Sequence, residues 1–295
     1  MEKRVFISAT SNKTLDDRRR SLKGAIIEKI RTAGFAPQEF WESGTAENMT
    51  WSFENVDSVM RSCVGAVIFG FPRWIVREPS AETRLIGEFN HYEGAVAITH
   101  DLPILILAEQ GVESRGVVWT GGGKTITFVP SDADAAWLSS QEFTKRFEAW
   151  KRDVDSRKDV FLGYCSKAKG LAAQIQLRLT DAGASVLNWE MDFRAGGSIL
   201  DEIDRARSRC SSAVFLFTED DPLEGKSGGA APRDNVVFEA GYFMSAKGSD
   251  RVLIIREGDA KMPADIGGAI YLHIEKDADV AVLEGQLRKF VERNL

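Results

Sequence analysis

Cysteine and histidine are both scarce in this chain, with three of each among 295 residues. Cys63, Cys165 and Cys210 are odd in number and stand at no paired spacing, which speaks against a disulfide framework; with so few histidines no zinc-ligand set assembles either. The expectation is therefore no metal and reduced thiols. An excess of basic charge is also missing. The formal net charge of −6 supplies no field that would attract a nucleic acid or an anionic membrane surface, so neither is expected as a partner. Long apolar runs are lacking too: none reaches the roughly 18–20 residues that a membrane-spanning helix needs. The start, Met1-Glu-Lys-Arg, leads into a strand-like run and not into the apolar core of a signal peptide, which points to a cytoplasmic protein.

What is present reads as two similar halves. At 295 residues with 43% hydrophobic content, the chain is long enough for two cores. Val5-Phe-Ile-Ser8 is a short apolar run followed by a polar stretch and a helical pattern through Leu22, Ile26, Ile27 and Ile30 that stops at Gly34. Val160-Phe-Leu-Gly163 repeats the arrangement, with Leu171, Ile175 and Leu179 on the helix and Gly183 ending it. Later, Gly65-Ala-Val-Ile-Phe69 and Pro103-Ile-Leu-Ile-Leu107 in the first half correspond to Ser212-Ala-Val-Phe-Leu-Phe217 and Arg251-Val-Leu-Ile-Ile255 in the second. Near-continuous apolar strands alternating with helices imply parallel sheets covered on both faces. The predicted fold is α/β: two consecutive flavodoxin-like, doubly wound domains of four or five strands each, over residues 1–150 and 151–295.

Ligands of such sheets bind outside the carboxyl ends of the strands. In the second half those loops run from Tyr164 to Gly170, Trp189 to Ser198 and Thr218 to Asp234, and Glu239 lies one turn into the helix that follows. Val236 and Phe243 flank it at helical spacing, so a carboxylate stands in an apolar stripe, a costly placement unless the group is paired or employed. The pattern alone leaves open whether Arg233 or backbone satisfies it. Around it, Tyr164 and Ser166 are candidates for ribose or phosphate contacts, Trp189 and Phe193 for stacking on a flat ring, and Arg233 for a bidentate grip on a diphosphate. Asp220 and Asp221 are placed to order their loop through turn bonds. Two lysine-containing glycine segments, Gly225-Lys-Ser227 and Gly121-Gly-Gly-Lys-Thr125, lack the earlier glycine of a phosphate-binding loop and are read as turns.

The segment Pro232-Arg-Asp-Asn-Val-Val-Phe-Glu-Ala-Gly-Tyr-Phe243, preceded by Ala213 to Asp221 and followed by Met262-Pro-Ala-Asp-Ile-Gly267, resembles the TIR-like predicted nucleotide-binding family of bacterial anti-phage effectors. The resemblance spans about Asp159 to Ile274. It implies an NAD-cleaving domain in which Glu239 is the catalytic carboxylate, with NAD as substrate, no cofactor, a cyclic nucleotide or other nucleotide as activator, and homo-oligomerisation on activation. Two other readings stay open: a non-enzymatic nucleotide-binding or scaffold protein, and an enzyme that makes a cyclic ADP-ribose-like signal.

The first half looks like a divergent TIR-like or deoxyribosyltransferase-like unit serving as sensor or regulatory domain. Glu88, flanked by Leu85 and Tyr92, is expected where Glu239 stands in the second half. The loop Ser8 to Thr14, with Ser8, Thr10 and Ser11, offers hydroxyls for a regulatory ligand, and Arg73 and Trp74 add a cation and an aromatic ring at the pocket mouth. The run Arg18-Arg-Arg20 is open between a phosphate contact at a helix start and a solvated face.

Overall fold

The computed structural model describes residues 3–40, 51–193, 198–224, 229–264 and 271–294. Two compact units emerge, Glu2–Ser156 and Arg157–Leu295. The division falls after residue 150 because the helix containing Trp150 runs unbroken over Gln141–Asp155 and buries both Trp150 and Val154 in the first core.

The first unit is built from β1 (Lys3–Ser8), α1 (Asp17–Thr32), β2 (Phe35–Glu39), α2 (Phe53–Arg61), β3 (Gly65–Gly70), β4 (Trp74–Glu78), β5 (Ala81–Leu85), α3 (Glu88–Thr99), β6 (Ile104–Glu109), β7 (Ile126–Val129) and α4 (Gln141–Asp155). Its five-stranded sheet has the order β2-β1-β3-β6-β7, parallel throughout, while β4 and β5 form a separate antiparallel hairpin. Strand parity divides the core. Val5, Ile7, Val67 and Phe69 join the cluster with α1 and α4, whereas Phe6 and Ala66 join the cluster with α2 and α3. Because both faces are buried, the strands read as continuous apolar runs. The helix ends follow their local chemistry: Asp16 caps α1 by accepting from the Arg19 N–H, Ser140 caps α4 through the Phe143 N–H, and α1 gives way to Gly34 at φ +90°.

The second unit repeats the plan with β8 (Lys158–Gly163), α5 (Lys169–Asp181), β9 (Val186–Asn188), the short α6 (Trp189–Asp192), α7 (Ile199–Arg209), β10 (Cys210–Phe217), β11 (Asp221–Pro222), β12 (Ala230–Ala231), α8 (Asp234–Lys247), β13 (Val252–Glu257), β14 (Tyr271–Ile274) and α9 (Glu284–Asn294). Its parallel sheet has the order β14-β13-β10-β8-β9. Read from the β9 side, this is the order of the first sheet, the flavodoxin-like 2-1-3-4-5 arrangement whose chain reversal opens a crevice between the first and third strands. Val160, Leu162 and Tyr164 face α5 and α9, while Phe161, Cys165, Phe215 and Phe217 face α7 and α8. In both units a small hairpin, β4–β5 or β11–β12, interrupts the chain between the third strand and the next helix. Among the described residues no helix is long and apolar enough to cross a membrane, and no cluster of histidine, cysteine and acidic side chains could hold a metal.

Two of the three arginines at the start of α1 turn inward, while Arg20 stays exposed and pairs with Asp17 at 3.0 Å. Glu109 at the end of β6 is fully buried, and Arg18 and Arg19 reach it at 2.8 and 2.6 Å. A second Arg19 nitrogen, Nε, donates to the same carboxylate at 2.7 Å. A buried carboxylate persists only when paired in this way. Of the glycine–lysine segments, 121–125 forms a turn ahead of β7, and 225–227 lies outside the described residues. Glu109→Ala removes the shared partner of the Arg18, Arg19 and Arg84 guanidinium groups, which solvent can partly rehydrate, and is expected to lower the stability of the first unit by about 3 kcal/mol. Hydrogen exchange of the α1 and β6 amides in the variant and the parent chain measures that loss.

Candidate functional site

The carboxyl edge of the second sheet is assembled from the ends of β8 and β10 and the start of α8. Asp220 is the organising residue there. Its buried carboxylate accepts from the Thr218 hydroxyl at 2.9 Å and from the Arg233 N–H at 3.1 Å, and its own N–H donates to the Thr218 and Ala231 carbonyls. Lys167 adds a 2.7 Å bond to the Asp220 carbonyl. Arg233 is the N-cap residue of α8 and has no side-chain capping bond of its own, so Asp220 takes over that task from across the hairpin. In this way strand end, hairpin and helix start are fixed to one another.

Glu239 is the sixth residue of α8. Val236, one turn earlier, and Phe243, one turn later, are buried in the core cluster that faces this helix. Phe243 stacks on Phe161 at 4.8 Å between ring centres, so the α8 face against the sheet is closed with aromatic rings. Glu239 itself is mostly buried, and among the described residues it makes no hydrogen bond or ion pair. Burial alone pushes its carboxyl up to about 7. A carboxylate left without compensation at a sheet edge is the kind of group that functional sites retain, since a purely structural position gains from a neutral side chain.

The other expected residues divide by strand parity and by what they already bind. Tyr164 does not reach the Glu239 side. It is buried on the α5 and α9 face, and its hydroxyl donates to Asn188 at 2.8 Å. Trp189 donates its indole N–H to the Tyr164 carbonyl and packs against that ring, so it supports the β8–β9 edge. Phe193 is on the Glu239 side and lies near-parallel to Phe161, with ring centres 6.1 Å apart. Ser166 is exposed. Arg233 is exposed as well; it pairs with Asp221 at 3.3 Å and is not the partner of Glu239. Asp220 is a scaffold for the loop and has no carboxylate oxygen left unbonded. Cys165 was not among the expected residues, although its parity with Phe161 places it on the α8 face. Parts of the loop Trp189 to Ser198 and of the segment Met262 to Gly267 lie outside the described residues.

In the first unit the structure brings Ser8, Thr10, Ser11 and Arg73 to the carboxyl edge, where Thr10, Ser11 and Arg73 line a cavity. Glu88 departs from expectation. It is the first residue of α3, not a residue one turn inside it, and its side chain is exposed. Its own backbone N–H, with Trp74 and Arg73 alongside, holds its carboxyl below the usual range; the Trp74 indole lies at 3.1 Å and Arg73 at 3.2 Å. The residue at the sixth position of α3 is Glu93, which is buried and lines the cavity. Exposed aromatic residues precede both glutamates, Tyr92 at 58% and Phe238 at 55% exposure, which confirms that the two helices present the same face. The pattern aromatic, glutamate, small residue in Tyr92-Glu-Gly94 and Phe238-Glu-Ala240 is the signal that identifies Glu93.

Residues 159–276 match the family model of the CAP12/Pycsar effector protein TIR domain. The match begins in β8 and ends just past β14, so it reaches every strand of the second sheet and all of α8; the second unit is called the TIR unit after this match. Among curated relatives, the Pycsar effector protein BcPycTIR of Burkholderia cepacia is 29% identical over 148 residues, 47% of this chain and 49% of the relative. The CD-NTase-associated protein 12 of Flavobacterium daejeonense is 30% identical over 124 residues, 41% of this chain and 40% of the relative. The chain thus spans less than half the length of these two relatives. Among solved structures, the TIR domain of the Toll-related receptor TRR-2 from Hydra magnipapillata is similar at 14% identity and a TM-score of 0.36, covering 46% of this chain and 98% of that one.

Two outcomes follow from the TIR unit's geometry. Asp220→Ala is expected to cost about 1–2 kcal/mol, because the Arg233 N–H at the head of α8 loses its acceptor; chemical denaturation followed by the fluorescence of Trp189 reads the loss. Glu239→Gln should act in the opposite direction. Since the folded carboxyl titrates near 7 and an unfolded glutamate near 4.5, the folded state binds more protons between those values, and stability falls as pH rises through that window. Removing the charge should therefore raise stability at pH 8 by about 1–2 kcal/mol, allowing for solvent at the partly exposed group, with the gain vanishing toward pH 4. Thermal unfolding across that pH range measures it.

Proposed function

We propose that the TIR unit is an NAD glycohydrolase, with Glu239 as its catalytic carboxylate, in an effector of bacterial anti-phage defence whose first unit receives a nucleotide signal. The observation that carries the reading is Glu239 itself: a largely buried carboxylate without a partner among the described residues, raised to about 7 by burial, on the helix that the family match includes. The similarity to Pycsar and CD-NTase-associated effectors supports the defence role and the nucleotide signal. Homo-oligomerisation on activation belongs to the same proposal.

The chemistry suits one carboxylate. Nicotinamide in NAD is already cationic, so when the C1′–N bond breaks both electrons leave with the ring and no proton has to be delivered to it. Ordinary glycoside hydrolysis lacks that advantage and uses two carboxyl groups. The ribosyl fragment passes through an oxocarbenium-like state, which water captures by forming the C1′–O bond and releasing its proton to solvent. Ionised Glu239, accepting from the ribose hydroxyls in a site of low polarity, stabilises the positive charge as it develops more than it stabilises the bound substrate. Burial serves this role directly, because the same charge in bulk water would be screened.

Glu239→Gln is expected to lower kcat/KM for NAD by about 100-fold or more in folded protein. Chromatographic separation of nicotinamide and ADP-ribose measures it, and undiminished cleavage by the folded variant rejects the assignment. Because the ionised form is the active one, kcat/KM in the parent chain should rise with pH and level off above about 7, the value to which Glu239 is pushed. A rate that falls over the same range would place the needed proton on Glu239 and overturn the electrostatic role.

A further inference from the structure

The first unit holds a cavity of about 310 Å³ at the carboxyl edge of its sheet, a volume at the low end of the roughly 300–1,000 Å³ common for small-molecule sites. It opens where the order β2-β1-β3 reverses the chain direction, the place where α/β sheets of this kind receive ligands. Its polar side comes from β1 and α3. Glu93 is 5% exposed, and burial pushes its carboxyl up to about 7, against the opposing bonds from Ser8 and the Trp51 indole. Asn90 donates to the Ser8 hydroxyl at 2.9 Å, which leaves that hydroxyl's own proton directed to Glu93. Thr10 is 8% exposed, lines the cavity, and its hydroxyl has no hydrogen-bond partner among the described residues. Such an unmet hydroxyl costs free energy unless a ligand supplies the bond.

Part of the remaining wall is apolar. Ile7, Phe40 and Phe89 line it, with the Phe89 ring backed by Trp51 at 4.5 Å and by the Arg73 guanidinium at 5.8 Å; the rest includes Ser11, Thr14 and Glu39, whose carboxylate is paired with Lys23 at 2.6 Å. The Glu93 carboxyl, the Asn90 amide and the unmet Thr10 hydroxyl beside an aromatic wall match a hydroxylated sugar joined to a flat heterocycle. We infer that this cavity is a binding site for one nucleoside unit, its sugar hydroxyls held by Glu93 and Thr10 and its base against Phe89. The volume suits a single such unit. Arg73 lies at the rim, where it pairs with the exposed Glu88 and is available to a 5′-phosphate on the same ligand.

The two units thus carry one glutamate position in two chemical settings. At the matching positions after the first strand's apolar run the TIR unit has Gly163 and Cys165, where the first unit has Ser8 and Thr10. Glu93 accepts from the Trp51 indole and Glu239 has no bond among the described residues, so the first site is arranged to hold a hydroxyl-rich molecule, whereas the second leaves its carboxylate unsatisfied. The inference deepens the regulatory reading of the first unit and rests on it only for coupling to NAD cleavage; occupancy of the cavity is independent of that coupling.

The experiment is calorimetric titration of the full chain with adenosine, guanosine, cytidine, uridine and their 5′-monophosphates, with NAD cleavage measured in parallel. At least one probe is expected to bind at one site per chain, and Glu93→Gln and Thr10→Val should each weaken it about 10-fold, while Glu239→Gln leaves it unchanged. Far-ultraviolet circular dichroism checks that the variants are folded, and Thr10→Val, which removes one oxygen without altering shape, carries the test should Glu93→Gln unfold. Binding that changes no rate of NAD cleavage supports the site and rejects the regulatory reading. Binding that survives both first-unit substitutions, binding lost in Glu239→Gln, or no binding of any probe overturns the site itself.

Discussion

The constraint on which both units depend is the cost of holding a carboxylate out of water at the edge of a parallel sheet. A sheet of order 2-1-3-4-5 covers both of its faces with helices and leaves its carboxyl edge open only where the chain reverses between the first and third strands. A helix leaving the third strand must return across that opening, and its early turns necessarily face it. A glutamate in the second turn then stands between core and crevice: too buried to be fully hydrated, yet near enough to the opening to meet a ligand. Glu93 and Glu239 are both in this position, and burial raises both to about 7. The helix start has to be fixed for the position to be maintained. In the TIR unit Asp220 does so by bonding to Arg233 across the hairpin, and in the first unit Gly87 opens α3 with its carbonyl accepting from the Asn90 N–H at 3.2 Å.

Much of this plan is legible in the sequence because it is expressed through periodicity. Continuous apolar runs at Val5 to Ile7, Gly65 to Phe69, Val160 to Leu162 and Ala213 to Phe217 can only be strands buried on both faces, and their alternation with helices fixes a parallel sheet. Glu239 is legible as well, since Val236 and Phe243 lie in the same helix and the spacing rule holds there. The same rule misplaces its counterpart. Leu85 stands three residues before Glu88 but belongs to β5, so the spacing crosses from hairpin into helix and has no helical meaning. Glu93 has Asn90 and Ala97 at that spacing, both within α3 and both buried, so its register is helical, but the polar Asn90 hides it from a search for an apolar stripe.

What sequence cannot express is the partner brought from far along the chain. Arg18 and Arg19 look like charges at the exposed head of a helix until Glu109, about 90 residues later, arrives between them. Asp220 reads as a turn residue, yet its decisive bond is to an N–H on the far side of the hairpin. Tyr164 is the reverse case, because the information was present. Residues of one strand alternate between faces, so Tyr164 follows Val160 and Leu162 toward α5 and α9, away from the side of Phe161 and Cys165 where α8 lies. A side chain at a strand's carboxyl end therefore has to be assigned a face before it is assigned a ligand.

The same parity shows how two units of one topology come to surround their glutamates differently. On the side that meets the glutamate helix, the first strand of the first unit ends with Ser8 and Thr10, and that of the TIR unit with Gly163 and Cys165. Gly163 cannot be made into serine by simple exchange, because a β-carbon there would fall about 2.3 Å from the Phe215 ring. The aromatic packing of Phe161, Phe215 and Phe243 therefore keeps a hydroxyl out of the strand position that Ser8 occupies in the first unit.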